Sequence, residues 1–455
     1  MRNQAWFEHF VEILRLAIPL IIANVAMIGM EVIDTIMAGQ ASAEDLAGLA
    51  IGGNIWLVLE MAIYGVILAT TPRIARFHGA KNKAEITTEV QQSLILMGLL
   101  GVIAMLVLLV AIPFIPYLGT SDNVTHIAQG YTEIIAYSLP ISGICWALFA
   151  LLEGHGLMRF VMLSSLAAVT LNLIFDYIFV FGKFGFPALG GIGCAWTTTI
   201  IYWLWGFSVI VYVSRHKLLK QYQIFSHWPG IILARWRAIF ALGLPISLAI
   251  IAEEGFFSFS ALLIAPLGTE PLGAHQITIQ IVALVLMFGL GIGQATAIFV
   301  AKGIGESKPT EMVNYISAGF KMVASFGIVV GGFVFIFREQ LPSLFTQDLR
   351  IAAISTAIMF FAPLYLVIDI LQVWAAQTLR GFEDTKIPMM IQITSYWLIG
   401  FPLGYSLGNT QFWGANYGVY GFWVGIFSGI LLGSCFLCIR LYKKFPSIKQ
   451  QSQLV

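Results

Sequence analysis

Charge is what this 455-residue chain has least of. Only 10% of its residues are Asp, Glu, Lys or Arg, against roughly a quarter in an ordinary soluble domain. A soluble enzyme, a disordered scaffold and a nucleic-acid binder each need a charged surface, so all three are excluded. The balance of 24 basic and 23 acidic side chains leaves no global field to recruit an acidic partner. Cysteine is scarce too. Cys145, Cys194, Cys435 and Cys438 all lie in apolar stretches, which argues against a secreted disulfide framework. The C-x-x-C pair at Cys435 and Cys438 reads as small packing residues rather than a redox or metal motif. The chain lacks the G-K pair of a phosphate loop, so ATP is not expected to power it. The N-terminus begins with Arg2 and Asn3 and runs on through Glu31 and Asp34 without a signal-peptide cleavage pattern.

What is present is hydrophobicity: 59% of residues are apolar and the mean hydropathy is +0.87. A membrane-crossing helix needs about 20 mostly apolar residues. Twelve stretches meet that length, near 13–37, 46–71, 91–115, 127–151, 160–182, 190–213, 238–265, 272–301, 313–337, 351–379, 387–408 and 417–442. They lack the period-2 alternation of a membrane barrel. The predicted fold class is therefore an all-α integral membrane protein with twelve transmembrane helices. Its predicted parts are a lobe over 1–213, a cytoplasmic basic linker over 214–237, and a second lobe over 238–455 ending in a cytoplasmic tail. With the N-terminus assigned to the cytoplasm, every Lys and Arg except Lys183, Arg338 and Arg350 falls on the cytoplasmic side, the last being Lys449. That asymmetry places both termini inside.

The chain also matches itself, without gaps, at an offset of 226 residues. Pro19 meets Pro245, Ala23 meets Ala249, Gly65 meets Gly291, and Gly79 meets Gly305. Further along, Leu152-Glu153-Gly154 resembles Leu379-Arg380-Gly381, and Gly190 with Gly193 resembles Gly418 with Gly421. Each repeat holds six spans, an even number. Two pseudo-symmetric six-helix lobes related by an axis along the membrane normal are the expected result.

Glu31, Asp34, Glu60, Asp176, Glu253, Glu254 and Asp369 all lie well inside spans, with no Lys or Arg at comparable depth. Seven ionised carboxylates facing lipid would cost about 20 kcal/mol at ~3 kcal/mol each. They are expected to face water, to be protonated, or to bind a cation. Proton carriage, Na⁺ binding and binding of a cationic substrate all fit. Asn172 and Asp176 share one face of the fifth span at i, i+4, and Glu31 and Asp34 are neighbours at i, i+3. Tyr177 and the Thr198–Thr199 pair could add hydroxyl oxygens. Glu60 has a plain alternative, a hydrogen bond to a neighbouring helix. Glu253 and Glu254 point about 100° apart, so one of them at most faces a functional centre. His275 reads first as a satisfied packing histidine. Aromatic and methionine side chains such as Tyr365, Trp374, Met287 and Phe288 would serve a flat organic cation if they line a cavity.

The ordered motifs resemble the multidrug and toxic compound extrusion (MATE) family, in its NorM-like branch. In the first span these are Leu16-Ala17-Ile18-Pro19 and Asp34-Thr35-Ile36-Met37-Ala38-Gly39. Then come Leu152-Glu153-Gly154-His155-Gly156 and the fifth-span residues Asn172, Asp176 and Tyr177-Ile178-Phe179. In the second half stand Leu244-Pro245 through Glu253 to Ala265-Pro266-Leu267-Gly268, and Asp369-Ile370-Leu371-Gln372 leading to Leu379-Arg380-Gly381 and Asp384-Thr385. The resemblance implies two lobes around a V-shaped cleft and alternating-access export driven by Na⁺ or H⁺ entry. It assigns cation coupling to Asp34, Asn172 and Asp176 in the first lobe and to Glu253 and Asp369 in the second. Glu31, Glu254, Thr198 and Tyr177 are possible additions; Glu31 and Glu254 depart from the family pattern. The implied substrates are organic cationic or amphipathic compounds. A monomer in the bacterial inner membrane is expected, surrounded by lipid, with no cofactor, no nucleic acid and no metal beyond a Na⁺ site. The rival readings are a lipid-linked precursor flippase, which would want a basic cavity, and a membrane-embedded enzyme, which would want clustered catalytic residues.

Overall fold

The twelve apolar stretches all become helix in the structure, a computed structural model that describes residues 2–226, 228–411 and 416–444. Lys449 and the tail beyond Lys444 lie outside the described residues. Among those described there is no strand. Among the described residues ten helical stretches are long and apolar enough to cross a membrane, and a bent pair supplies an eleventh.

The helices are α1 (Arg2–Ala41), α2 (Ala43–Ile67), α3 (Thr70–Gly79), α4 (Lys83–Ala111), α5 (Asp122–Ala136), α6 (Leu139–Gly154), α7 (Met158–Phe181) and α8 (Gly191–Arg215). The second half supplies α9 (Leu233–Ile264), α10 (Thr269–Glu306), α11 (Pro309–Ile336), α12 (Leu349–Met359), α13 (Ala362–Gly381), α14 (Lys386–Ile393), α15 (Phe401–Asn409) and α16 (Val419–Tyr442).

Three expected spans are broken well inside their length, each beside a proline. The fourth is α5 and α6, bent by 45°, with Pro140 in the first turn of α6. The tenth is α12 and α13, with Pro363 in the first turn of α13. The eleventh runs from α14 through a π-helical turn, Thr394–Gly400, into α15, where Pro402 follows. A proline has no N–H to donate four residues back, so the preceding turn loses a hydrogen bond there.

The chain divides into two compact units: residues 22–247, and residues 248–455 together with 1–21. Both divisions fall inside helices, α1 and α9. Each lies two residues beyond a helix-interior proline, Pro19 or Pro245, and the two positions are equivalents in the 226-residue repeat. The repeat is visible in the backbone as well. Gly190 before α8 has φ 56° and ψ −138°, and Gly418 before α16 has φ 55° and ψ −136°. Only glycine adopts that left-handed conformation without strain.

Within residues 22–247, a buried ion pair ties α3 to α4: Arg73 Nη2 donates to Glu89 Oε2 at 2.9 Å, and Arg73 Nε to Glu89 Oε1 at 2.5 Å. The basic linker is helical at both ends, in α8 and α9, and carries a 3-10 turn, Lys220–Tyr222, between them. It is held against α4. Thr87 Oγ1 and Gln91 Nε2 donate to the carbonyls of Tyr222 and Ile224, and Gln92 both donates to the Gly230 carbonyl and accepts from the Ile232 amide. His155, just past α6, adds a 2.7 Å hydrogen bond between its Nε2 and the Tyr222 hydroxyl.

In the other unit the N-terminal segment packs by Ile13, Leu16, Ala17 and Leu20, all buried. It approaches α10 so closely that a Cβ on Gly291 would sit 2.5 Å from Ile21 Cγ1.

Candidate functional site

Three helices of the first unit bring their polar residues to one buried point. Asp34 comes from α1, Asn172 and Asp176 from one face of α7, and Cys194, Thr197 and Thr198 from one face of α8. All six side chains are buried. Asn172 Nδ2 donates to Asp34 Oδ1 at 2.7 Å, and Thr198 Oγ1 donates to Asp34 Oδ2 at 3.1 Å. The Cys194 thiol lies 3.6 Å from the Asp34 carbonyl oxygen. Both oxygens of the Asp34 carboxylate therefore have donors.

Asp176 is different. Neither of its carboxylate oxygens has a hydrogen-bond partner, and the same holds for Asn172 Oδ1. The amide cannot be turned to relieve this, because its nitrogen is committed to Asp34. One ligand atom each from Asp34, Asp176 and Cys194 lies within 4.8 Å of the others. Unpaired buried oxygens cost roughly 1–3 kcal/mol each, and more when charged. Thr197 Oγ1 is also buried without a partner, so one unused hydroxyl stands against three open acceptor oxygens and acceptors remain in surplus. It suits a small hard cation or a proton, and several oxygens in one shell are what hard cations prefer.

The second unit holds a looser group. Asp369 on α13 is buried, and its Oδ2 has no hydrogen-bond partner. Tyr365 stands one turn before it. Glu253 on α9 is half-buried, within electrostatic reach of Asp369 and of Arg380. Arg380 lies in the last turn of α13, so the acids here do have a basic neighbour, contrary to the sequence expectation. The π turn contributes Tyr396, which stacks on Phe256 at 5.2 Å and accepts a hydrogen bond from Gln372 Nε2. It also contributes Trp397, whose indole donates to the Ala252 carbonyl at 2.9 Å. The wide turn thus fixes α9 beside the acids, in keeping with the frequent placement of π-bulges at functional sites.

Other candidates fall elsewhere. Glu31 and Glu254 are exposed. Tyr177 points outward, 48% exposed, against Phe181 and Lys183, because consecutive helix residues diverge by about 100°. Glu60 takes the plainer of its two readings: it accepts from Ser142 Oγ at 2.8 Å and Trp146 Nε1 at 2.7 Å. His275 is packed but not satisfied. It is fully buried and neither ring nitrogen has a hydrogen-bond partner. Cys194 and Thr197 escaped the sequence reading. Their i, i+4 and i, i+1 relation to Thr198 was the available signal.

The family model described as MatE matches residues 19–178 and again 245–406; the two matches start at the equivalent prolines. Multidrug resistance protein NorM of Vibrio vulnificus is 32% identical over 94% of this chain and 94% of its own length. Multidrug resistance protein PmpM of Pseudomonas aeruginosa is 32% identical over 94% of this chain and 90% of its own. Among solved structures, the eukaryotic MATE transporter AtDTX14 superposes with a TM-score of 0.86 at 18% identity, covering 98% of this chain and 99% of that one. The outward-facing form of a multidrug resistance MATE family transporter of the MOP superfamily gives 0.86 at 20%, covering 97% of each.

Proposed function

The chain belongs to the MatE family, a family of membrane transporters rather than enzymes, and we propose that it expels organic cationic or amphipathic compounds from the cytoplasm in exchange for Na⁺ or H⁺. The observation that carries the proposal is the trio of buried, donor-less oxygens on Asn172 and Asp176 beside Asp34.

In the proposed cycle an entering cation binds that shell and stabilises one arrangement of the helices around it. Substrate stabilises the other. Each ligand shifts the population the other requires, and the coupling is reciprocal. Asp34, Asn172, Asp176 and Thr198 hold the coupling cation in this reading. Glu253 and Asp369 form a second acidic group that binds cation or the charged part of a substrate. The chain works in the bacterial inner membrane with both termini in the cytoplasm, as the bias of its Lys and Arg residues supports. A flippase for anionic lipid-linked precursors is disfavoured, since the deep charges are acidic.

The test is transport in proteoliposomes under an imposed Na⁺ gradient and, separately, an imposed pH gradient. One gradient is expected to drive dye efflux, and Asp34→Asn and Glu253→Gln are each expected to reduce it at least tenfold. Unchanged gradient-driven efflux in both variants would refute the assignment.

A further inference from the structure

The two halves of the chain share one piece of loop geometry, and only the first adds a carboxylate to it. In the first half the strap before α8 is pinned to the end of α7. The Leu189 amide donates to the Phe179 carbonyl at 2.9 Å, and the Gly190 amide to the Val180 carbonyl at 3.2 Å. In the second half the Tyr417 amide donates to the Leu407 carbonyl at 3.0 Å at the equivalent place, and Gly418 repeats the backbone angles of Gly190.

What differs is Asp45. Its Oδ1 accepts from the Gly191 amide at 2.6 Å, in the first turn of α8, and its Oδ2 accepts from the Ser42 hydroxyl at 2.7 Å. Ser42 Oγ in turn accepts from the Asp45 amide at 2.9 Å, capping α2. The Ser42 amide donates to the Ala38 carbonyl at 3.1 Å and so closes α1. One carboxylate thus joins the α1–α2 corner to the start of α8. The fit leaves no room at Gly190, where a Cβ would collide with Asp45 Oδ1. In the 226-residue repeat the position equivalent to Asp45 is Pro271. A Cβ on Gly418 would meet nothing nearer than Leu267 Cδ1 at 3.9 Å.

The helices joined in this way carry the buried acceptor cluster. Asp34 lies two turns before the end of α1, and Thr198 two turns after Gly191. Each is about 10 Å from the clamp along its own axis, at 1.5 Å per residue. The Thr198–Asp34 hydrogen bond and the approach of Cys194 to the Asp34 carbonyl both cross from α8 to α1. Both depend on the relative height of those two helices. A charge-assisted bond at the helix ends fixes that height more firmly than a neutral one, and ligand sites need their groups held to within about 0.5 Å.

We propose that Asp45 is a positioning residue of the coupling site, setting α1 against α8 so that Asp34, Asn172, Asp176 and Thr198 meet around one cation. The proposal rests on the coupling assignment made above for those four residues. Asp45 does not touch the cation. It acts through geometry, so an amide with the same two hydrogen bonds serves in its place.

The experiment compares Asp45→Ala, Asp45→Asn and Gly190→Ala in the full chain, each checked for monodispersity. Asparagine keeps an oxygen for the Gly191 amide and offers a donor to Ser42, so it should restore what alanine loses. In proteoliposomes the half-saturating Na⁺ or H⁺ concentration for dye efflux should rise at least tenfold in Asp45→Ala and Gly190→Ala. The rate at saturating cation should stay within twofold of wild type. In detergent, alkylation of Cys194 by N-ethylmaleimide, mapped by peptide mass spectrometry, should quicken at least tenfold in the same two variants. Asp45→Asn should match wild type in both readouts. Gly418→Ala, with the same backbone strain and no carboxylate beside it, should do so too. Cys194 alkylation is independent of the coupling assignment: if wild-type efflux ignores both cations, that assignment fails and the alkylation rates alone decide on Asp45. An unchanged Cys194 rate in Asp45→Ala would overturn the proposal. So would a fall in maximal rate with unchanged half-saturation, or an asparagine variant as impaired as alanine, which would make the effect one of charge.

Discussion

Replacing Asp176 by asparagine should stabilise the protein when cations are scarce and remove its response to them. The carboxylates of Asp34 and Asp176 present atoms within 4.8 Å of each other. At that separation two unit negative charges repel by about 3.5 kcal/mol with an effective dielectric of 20. Asp34 is relieved by donors from Asn172 and Thr198, whereas Asp176 has none. The ionised pair therefore stores that energy in the cation-free protein, and a bound cation releases it. Asp176→Asn removes one charge at nearly constant volume and supplies a donor. In cation-poor, alkaline buffer the variant should be more stable than the wild type by roughly 3 kcal/mol. The wild type should recover with added Na⁺ or acid, gaining ~2.7 kcal/mol at a hundredfold excess over its dissociation constant. The variant should stay flat. Thermal unfolding of purified protein, titrated with Na⁺ and with pH, reads both effects. A variant no more stable than wild type in cation-poor buffer, or one that gains as much from cation, would refute the reasoning.

The Arg73–Glu89 pair should be as sensitive to loss of one partner as buried pairs usually are. Arg73→Ala leaves Glu89, fully buried, with only Arg235 at 3.7 Å; a cost of about 3–5 kcal/mol should show as loss of monodisperse protein on size exclusion. Adding Glu89→Ala should restore most of it. His155, just beyond the α6 span, is held down from its ordinary 6.5 to about 4 by burial. The unfolded chain therefore binds its proton first, so this contribution is complete above pH 6.5. It is lost as pH falls toward 4, in total roughly 3 kcal/mol at ~1.4 kcal/mol per unit. Denaturant unfolding should show His155→Gln with a flatter acid limb, and an unchanged limb would count against burial as the cause.

The spans were readable because crossing a membrane imposes a length on apolar runs, and nothing else in a sequence produces twelve of them. Pro140 and Pro363 were equally visible, but a proline in an apolar run fits either a bend or a helix start. Only the packing of neighbours decided for two breaks. At the candidate site, the i, i+4 spacing put Asn172 and Asp176 on one face of α7. Their encounter with Asp34 depends on how α1 and α8 are rotated, and spacing does not contain that. Cys194 and Thr197 were missed for this reason, and Tyr177 was included for the same reason. The donor deficit that marks the site appears only once every neighbour has been placed.

The twofold crossing of the chain between units has a consequence for synthesis. Residues 22–247 are contiguous, so the unit they form has all its parts once Ser247 has been made. Residues 1–21 belong with 248–455, and so a segment translated before the contiguous unit joins the unit translated after it. At about 5–20 residues per second, it waits roughly 10–40 s beyond that point for its final neighbours. Ile13, Leu16, Ala17 and Leu20, buried in the finished protein, lack their neighbours from 248–455 in the interval. Lesions in this opening stretch should therefore act late in biogenesis, on a second half whose own sequence is intact.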